Sequence, residues 1–130
     1  AELAYAACEY LMEHCAVSDD RSDNTAYAAL VGGRADSEGA ALAYIVLCRE
    51  LDIDCRIVYG QEDWTEHCWN IVRIDGSYYH VDITSAIEDG AEAGFLMTRW
   101  HGDATGGMYR PIRNAQASCA AAICFLTNDA

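Results

Sequence analysis

The stretch from His67 to Thr84, H-C-W-N-I-V-R-I-D-G-S-Y-Y-H-V-D-I-T, constrains the fold of this chain more than any other. Apolar and polar residues roughly alternate on either side of Asp75-Gly76, a dipeptide suited to a two-residue hairpin turn in which both central residues need φ > 0. With that turn, Ile74 faces Ser77, and the pairing runs outward to Trp69 opposite Asp82 and His67 opposite Thr84. Strand side chains alternate between faces, so His67, Trp69, Tyr78, His80, Asp82 and Thr84 share one of them. His67 and Asp82 become diagonal neighbours, within reach of an imidazole–carboxylate hydrogen bond. Turn geometry alone sets a base beside an orienting acid.

The rest of the chain supplies a partner layer for that hairpin. Residues 2–17 carry Leu3, Ala6, Ala7, Tyr10, Leu11 and Cys15 at close to helical spacing, which predicts an amphipathic helix. Residues 19–24 form a polar turn, and Thr25 caps a short apolar segment, 26–31, that Gly32-Gly33 ends. After Ser37-Glu38-Gly39, residues 40–51 leave almost no polar face, the mark of a buried helix, with its first turn beginning near Ser37. A strand follows over 55–59 with Gly60 as its breaker, then a polar loop over 61–66. Beyond the hairpin, 85–94 reads as a loop with room for one helical turn, 95–97 as a short strand, 101–107 as a loop and 120–126 as a final strand. Helices followed by hairpin-connected strands argue for an α+β fold, a buried helix packed on an antiparallel β-sheet.

At 130 residues the chain is expected to be one domain, 1–130. Because it opens on Ala1, it reads as a domain excised from a longer protein. Eight Arg, no Lys and 21 acidic residues give a net charge of −13, which opposes nucleic acid and anionic membrane surfaces. No apolar run reaches the ~18 residues of a membrane span, so no membrane insertion is expected. Seven Cys is an odd number, so at least one thiol has no partner within the chain. No C-x-x-C occurs, and Cys48 and Cys68 read as small core residues.

These residues resemble a known family. Tyr27-Ala28-Ala29-Leu30-Val31, Ser37-Glu38-Gly39 opening a buried helix, L-D-I-D-C-R-I-V-Y-G, and then H-C-W-N-I-V-R-I-D-G-S-Y-Y-H-V-D-I-T are similar to a bacterial transglutaminase-like domain. The match covers roughly residues 25–84, and 95–111 is compatible with a weaker downstream pattern. The family's signature is Cys-x-Gly at a helix start, His-x-Trp on one strand and Asp-x-Thr on the next. The resemblance implies a papain/transglutaminase-like core, a Cys-His-Asp mechanism of acyl transfer or amide hydrolysis, and a peptide or protein amide as substrate. It implies no cofactor and no metal, and it points to a secreted or surface-displayed bacterial protein. His67 falls on the catalytic His and Asp82 on the orienting Asp.

The nucleophile position holds Ser37 where the family has Cys. A Cys at a helix N-terminus beside His becomes a thiolate–imidazolium pair, its free pKa of about 8.5 lowered further by dipole and charge. A Ser hydroxyl is far less acidic and must lose its proton to His67 during attack, in a geometry tuned to oxygen. The replacement is therefore expected to keep binding and remove most of the turnover. Animal transglutaminases of this superfamily place a Trp upstream of the nucleophile as an oxyanion donor, and here no Trp precedes Ser37. The Ser37 backbone N–H remains as a donor, with Tyr27 as a second candidate and Trp69 as pocket wall or core.

Each residue also has a plainer role. Ser37 alone is a good helix N-cap, and His67 alone is an ordinary strand His. Asp82 in an otherwise apolar strand needs a partner of some kind. His67, His80 and Asp82 share a face and leave a metal site as an alternative, while His14 and His101 read as surface residues. Two functional classes lead: an acyl-transfer enzyme scaffold with Ser37, His67 and Asp82 as its triad, and a pseudoenzyme that binds a peptide or cell-wall segment, with a metal-binding or purely structural domain as the fallback.

Overall fold

The computed structural model describes residues 2–62 and 65–96. The hairpin forms in the expected register. Strand β4 (Thr65–Ile74) pairs antiparallel with β5 (Ser77–Val81), with Ile74 opposite Ser77 and Asn70 opposite Val81. Asp75 at φ 52° and Gly76 at φ 83° supply the left-handed pair that the turn requires.

On its other edge β4 pairs antiparallel with β3 (Cys55–Glu62), giving the order β3-β4-β5. Gly60 does not end β3, as its sequence context suggested. It sits opposite His67 in the ladder, where pairing to β4 outweighs the weak strand propensity of glycine and no side chain crowds the imidazole.

Before the sheet come α1 (Glu2–His14), β1 (Ala16–Val17), α2 (Ala26–Leu30), β2 (Arg34–Ala35) and α3 (Ser37–Glu50). The first helix stops short of residue 17 because Ala16–Val17 pairs in parallel with Arg34–Ala35, a small ladder that alternation over two residues cannot announce. Thr25 caps α2 as expected, its Oγ1 accepting from the Ala28 N–H at 3.0 Å.

Helix α3 packs between α1 and α2 on one side and the sheet on the other. Tyr44, Ala43 and Cys48 are fully buried, and the Tyr44 hydroxyl donates to the Ala4 carbonyl at 2.9 Å. It is less enclosed than its composition suggests, since Val46 keeps 39% exposure. Asn70 ties α3 to the sheet, its amide donating to the Ala41 carbonyl at 3.0 Å and the Arg56 carbonyl at 3.2 Å. The architecture is α+β, a helix layer on an antiparallel sheet.

The largest departure from the sequence reading follows β5. The strand ends at Val81, so Thr84 does not pair with His67. Residues 83–94 form α4 (Ile83–Asp89) and α5 (Ala91–Gly94) rather than a loop. Asp82 starts α4 by accepting from the Ser85 N–H, and Ile83, Thr84, Ser85 and Ala86 are buried behind it. Phe95 and Leu96 are not in a strand, Leu96 having φ 50°. Met97 and the segments 101–107 and 120–126 lie outside the described residues.

Cys8, Cys15, Cys48, Cys55 and Cys68 are buried free thiols, as a core reading of Cys48 and Cys68 expects. Among the described residues no helix is long and apolar enough to cross a membrane.

Candidate active site

Helix α3 begins at Ser37 because Asp36 caps it, its Oδ1 accepting from the Gly39 N–H at 2.9 Å. The plain role open to Ser37, that of N-cap, is thus taken by its neighbour. Gly39 is needed for close approach. A Cβ there would lie 2.6 Å from the Asp23 carbonyl oxygen and 3.0 Å from that of Thr25, so the 23–25 loop lies directly on the helix start. This is a physical reason for glycine two residues after Ser37.

The Ser37 hydroxyl oxygen accepts from the backbone N–H of Cys68 at 3.0 Å, which places it beside the residue that follows His67. A donor aimed at this oxygen favours negative charge on it. Ser37 and His67 line one cleft of about 380 Å³, with Cys68 between them.

His67 Nε2 lies 2.7 Å from Asp82 Oδ2. An ionised carboxylate only accepts, so the proton sits on Nε2 and Nδ1 is the basic nitrogen of the neutral ring. Asp82 is 4% exposed, and its other oxygen accepts from the Thr84 hydroxyl at 3.1 Å and the Ser85 N–H at 3.2 Å. Burial pushes this carboxyl up, but the hydrogen bond and charge of His67, the Ser85 N–H and the Thr84 hydroxyl outweigh it and hold it below the ordinary value. A buried carboxylate with four favourable influences is a stable anion, able to orient His67 and to balance its charge when protonated.

Three further carboxylates border the cleft: Asp36, Glu38 and Glu66. Glu38 accepts from the Tyr59 hydroxyl at 2.8 Å, and Glu66 pairs with Arg21 at 2.9 Å, both of the latter side chains being exposed. Cys68 is no substitute nucleophile. Burial first, then the charge of Glu38, lift its thiol to about 12, against the hydrogen bond with Ser37 that pulls the other way.

The other expected site residues are placed elsewhere. Tyr27 is 71% exposed on α2 and does not line the cleft. Trp69 is 2% exposed and stacks behind His67 at an interplanar angle of 19°. His80 does not converge on Asp82. Its Nδ1 accepts from the Trp69 indole N–H at 2.9 Å. The acidic border and Tyr59 were not anticipated. Tyr59 pairs with Cys68 and Gly60 with His67, so Tyr59 lies on the Cys68 face of the sheet, a placement that needs the β3–β4 register and not the strand period alone.

The model of the transglutaminase-like superfamily matches residues 1–83, well over half the chain and including Ser37, His67 and Asp82. The chain belongs to the transglutaminase-like superfamily. No curated protein matches it in sequence. Its fold is similar to that of a crystallised TGase, with a TM-score of 0.57 and 14% identity, covering 62% of this chain and 25% of that one. It is also similar to a Cytophaga hutchinsonii protein solved as a candidate cysteine protease, with a TM-score of 0.55 and 20% identity, covering 62% of this chain and 30% of that one. The chain thus spans less than a third of either protein, and at these identities the likeness establishes the transglutaminase-like fold alone.

Proposed function

We propose that the Ser37 cleft is an acyl-transfer site of the transglutaminase-like kind that holds a peptide or protein amide and turns it over weakly or not at all. The observation that carries this reading is the 2.7 Å His67–Asp82 pair opening onto the same cleft as Ser37 at the start of α3. In the full reaction the Ser37 oxygen attacks the amide carbonyl carbon while His67 Nδ1 takes the hydroxyl proton. The tetrahedral oxyanion forms near the Ser37 N–H and the helix N-terminus. Collapse passes the proton from His67 to the leaving amine and leaves an acyl ester on Ser37, which water or an amine then attacks.

The first step is the slow one. A thiol in this place would ionise against His67 before substrate arrives, whereas the hydroxyl must be deprotonated as the bond forms. Asp36 and Glu38 flank the oxygen in sequence and oppose its ionisation further. Binding needs none of this chemistry, so a module that captures an amide segment in the same cleft is the second reading.

Ser37→Cys decides between them. The assay is run in reducing buffer and repeated with Cys68→Ala, because a thiol at position 37 would sit against that of Cys68. Each protein is treated with iodoacetamide and, separately, with an amide or ester acyl donor, and followed by intact mass and peptide mapping. The expected outcome is rapid labelling at position 37 at pH values well below the free thiol pKa of about 8.5, together with an acyl adduct that requires His67. The unsubstituted chain should do neither at a comparable rate. A sluggish thiol, or labelling indifferent to His67→Gln, would sink the acyl-transfer reading and leave the binding module.

A further inference from the structure

His80 takes no part in the reaction just described, yet it is 2% exposed near the end of β5, opposite Ile71. Burying an imidazole calls for a definite hydrogen-bond role. Its Nδ1 receives the Trp69 indole N–H at 2.9 Å. An indole nitrogen only donates, so Nδ1 of His80 must be unprotonated and the proton of the neutral ring lies on Nε2. Trp69, 2% exposed, then presents its face to His67, whose ring lies 19° from parallel with centroids 6.0 Å apart. His67 in turn is held at Nε2 by Asp82.

These three contacts form a chain, and each does something the others do not. The Asp82 bond fixes one atom of the His67 ring and the tautomer, whereas the tilt of a ring plane is set by what lies against its face. The indole face limits that tilt. The His80 acceptor anchors the indole at its nitrogen. We propose that His80 is a positioning residue: as a neutral acceptor it fixes the Trp69 indole, and through the indole it fixes the plane of the His67 ring. Catalytic groups need orientation to within roughly 10–20°, and a packed ring without an acceptor gives the volume but not the anchor. Phe at position 80 would fill the space and remove the acceptor from the indole. Gln would return a carbonyl oxygen to it.

The inference rests on the reading of His67 as the base, but its test observes the ring and not turnover, so either can fail alone. Long-range 1H–15N spectra of the full chain report tautomer and titration for each imidazole, with His67→Gln supplying the assignment. In the unsubstituted protein His80 should appear as the Nε2–H tautomer; an Nδ1–H tautomer would overturn the proposal before any variant is made. His80→Phe should speed exchange of the Trp69 indole proton by about tenfold or more, as expected when a protecting hydrogen bond is lost. It should also move the His67 titration midpoint by about half a pH unit or more, since the environment of its charged form changes. His80→Gln should recover most of both. The proposal fails if His80→Phe leaves His67 and the indole proton as they were, or if His80→Gln disturbs them as much as Phe does, because the acceptor would then be irrelevant. Should His80→Phe not fold, the tautomer of the unsubstituted protein and the His80→Gln spectra carry the test.

Discussion

Two of the described helices start on an aspartate, and the two aspartates do different work. Asp36 precedes α3 and gives one oxygen to the Gly39 N–H. Asp82 precedes α4 and gives one oxygen to the Ser85 N–H in the same way. The local chemistry is the same, a carboxylate accepting from the third residue of the first turn. The surroundings are not. Asp36 is half-buried at the border of an open cleft, while Asp82 is closed in by β5, α4 and α5, with its backbone N–H donating to the Gly94 carbonyl at 2.8 Å. Burial obliges the second oxygen of Asp82 to find a donor, and His67 is that donor. A capping aspartate becomes an orienting one when its spare oxygen is taken out of water and set against an imidazole.

The comparison is most exposed to Asp82→Ala. That change removes the cap, the Thr84 and Ser85 partners and the counter-charge of His67 together, and breaking a buried charged pair from one side costs about 3 kcal/mol or more. Urea unfolding should show it as a lower midpoint. Asp82→Asn keeps an oxygen for the cap and should recover about half of the loss, since Asn caps as well as Asp. The acid limb separates charge from capping. The native carboxyl lies below its unfolded value, so its contribution is present above about pH 4 and is lost as pH falls through the native pKa. The stability gap between the unsubstituted protein and Asp82→Asn should therefore narrow steadily below about pH 4. A gap constant down to acid unfolding would mean that the charge on Asp82 contributes nothing.

Asp36→Ala should cost less, about 1 kcal/mol, the ordinary value of an N-cap. It should also leave the His67–Asp82 pair untouched, as seen by an unchanged His67 titration. If Asp36→Ala and Asp82→Ala prove equally damaging, the distinction between a cap and a cap that orients is not an energetic one.

What the sequence disclosed and what it withheld divide along the same line. Register, turn type and the approach of His67 to Asp82 were legible because they follow from Asp75-Gly76 and a period of two, both local properties. The cap at Asp82 was not. Reading the strand on through Ile83 and Thr84 was natural, because β-branched residues favour strands, and tertiary burial behind β5 overrode that preference. The His67–Asp82 contact is unaffected, since it follows from the register set at the turn and not from what comes after Asp82. The acidic border of the cleft was also hidden: Asp36, Glu38 and Glu66 come from two elements whose packing no pattern in either one reveals. The family resemblance carried Ser37, whose own sequence context spoke only of a helix start. Residues 97–130, which include the expected strand over 120–126, lie beyond the described part of the fold.

The smallest effect belongs to Thr84, the last residue of the Asp-x-Thr motif. Its hydroxyl donates to the same Asp82 oxygen that caps α4, at 3.1 Å and nearly out of contact with water. Thr84→Val keeps the shape and removes that donor. The net loss should be about 0.5–1 kcal/mol, the usual worth of one such bond, because Ser85 still donates to the oxygen and leaves it satisfied. The informative reading is on His67. Withdrawing a donor from Oδ1 makes the carboxylate a better acceptor at Oδ2, so the hydrogen bond to His67 should tighten and the imidazole should hold its proton to a slightly higher pH. NMR titration of His67 in Thr84→Val measures this directly. An unmoved midpoint would show that the two oxygens of Asp82 act independently, and that Thr84 serves the helix cap and not His67.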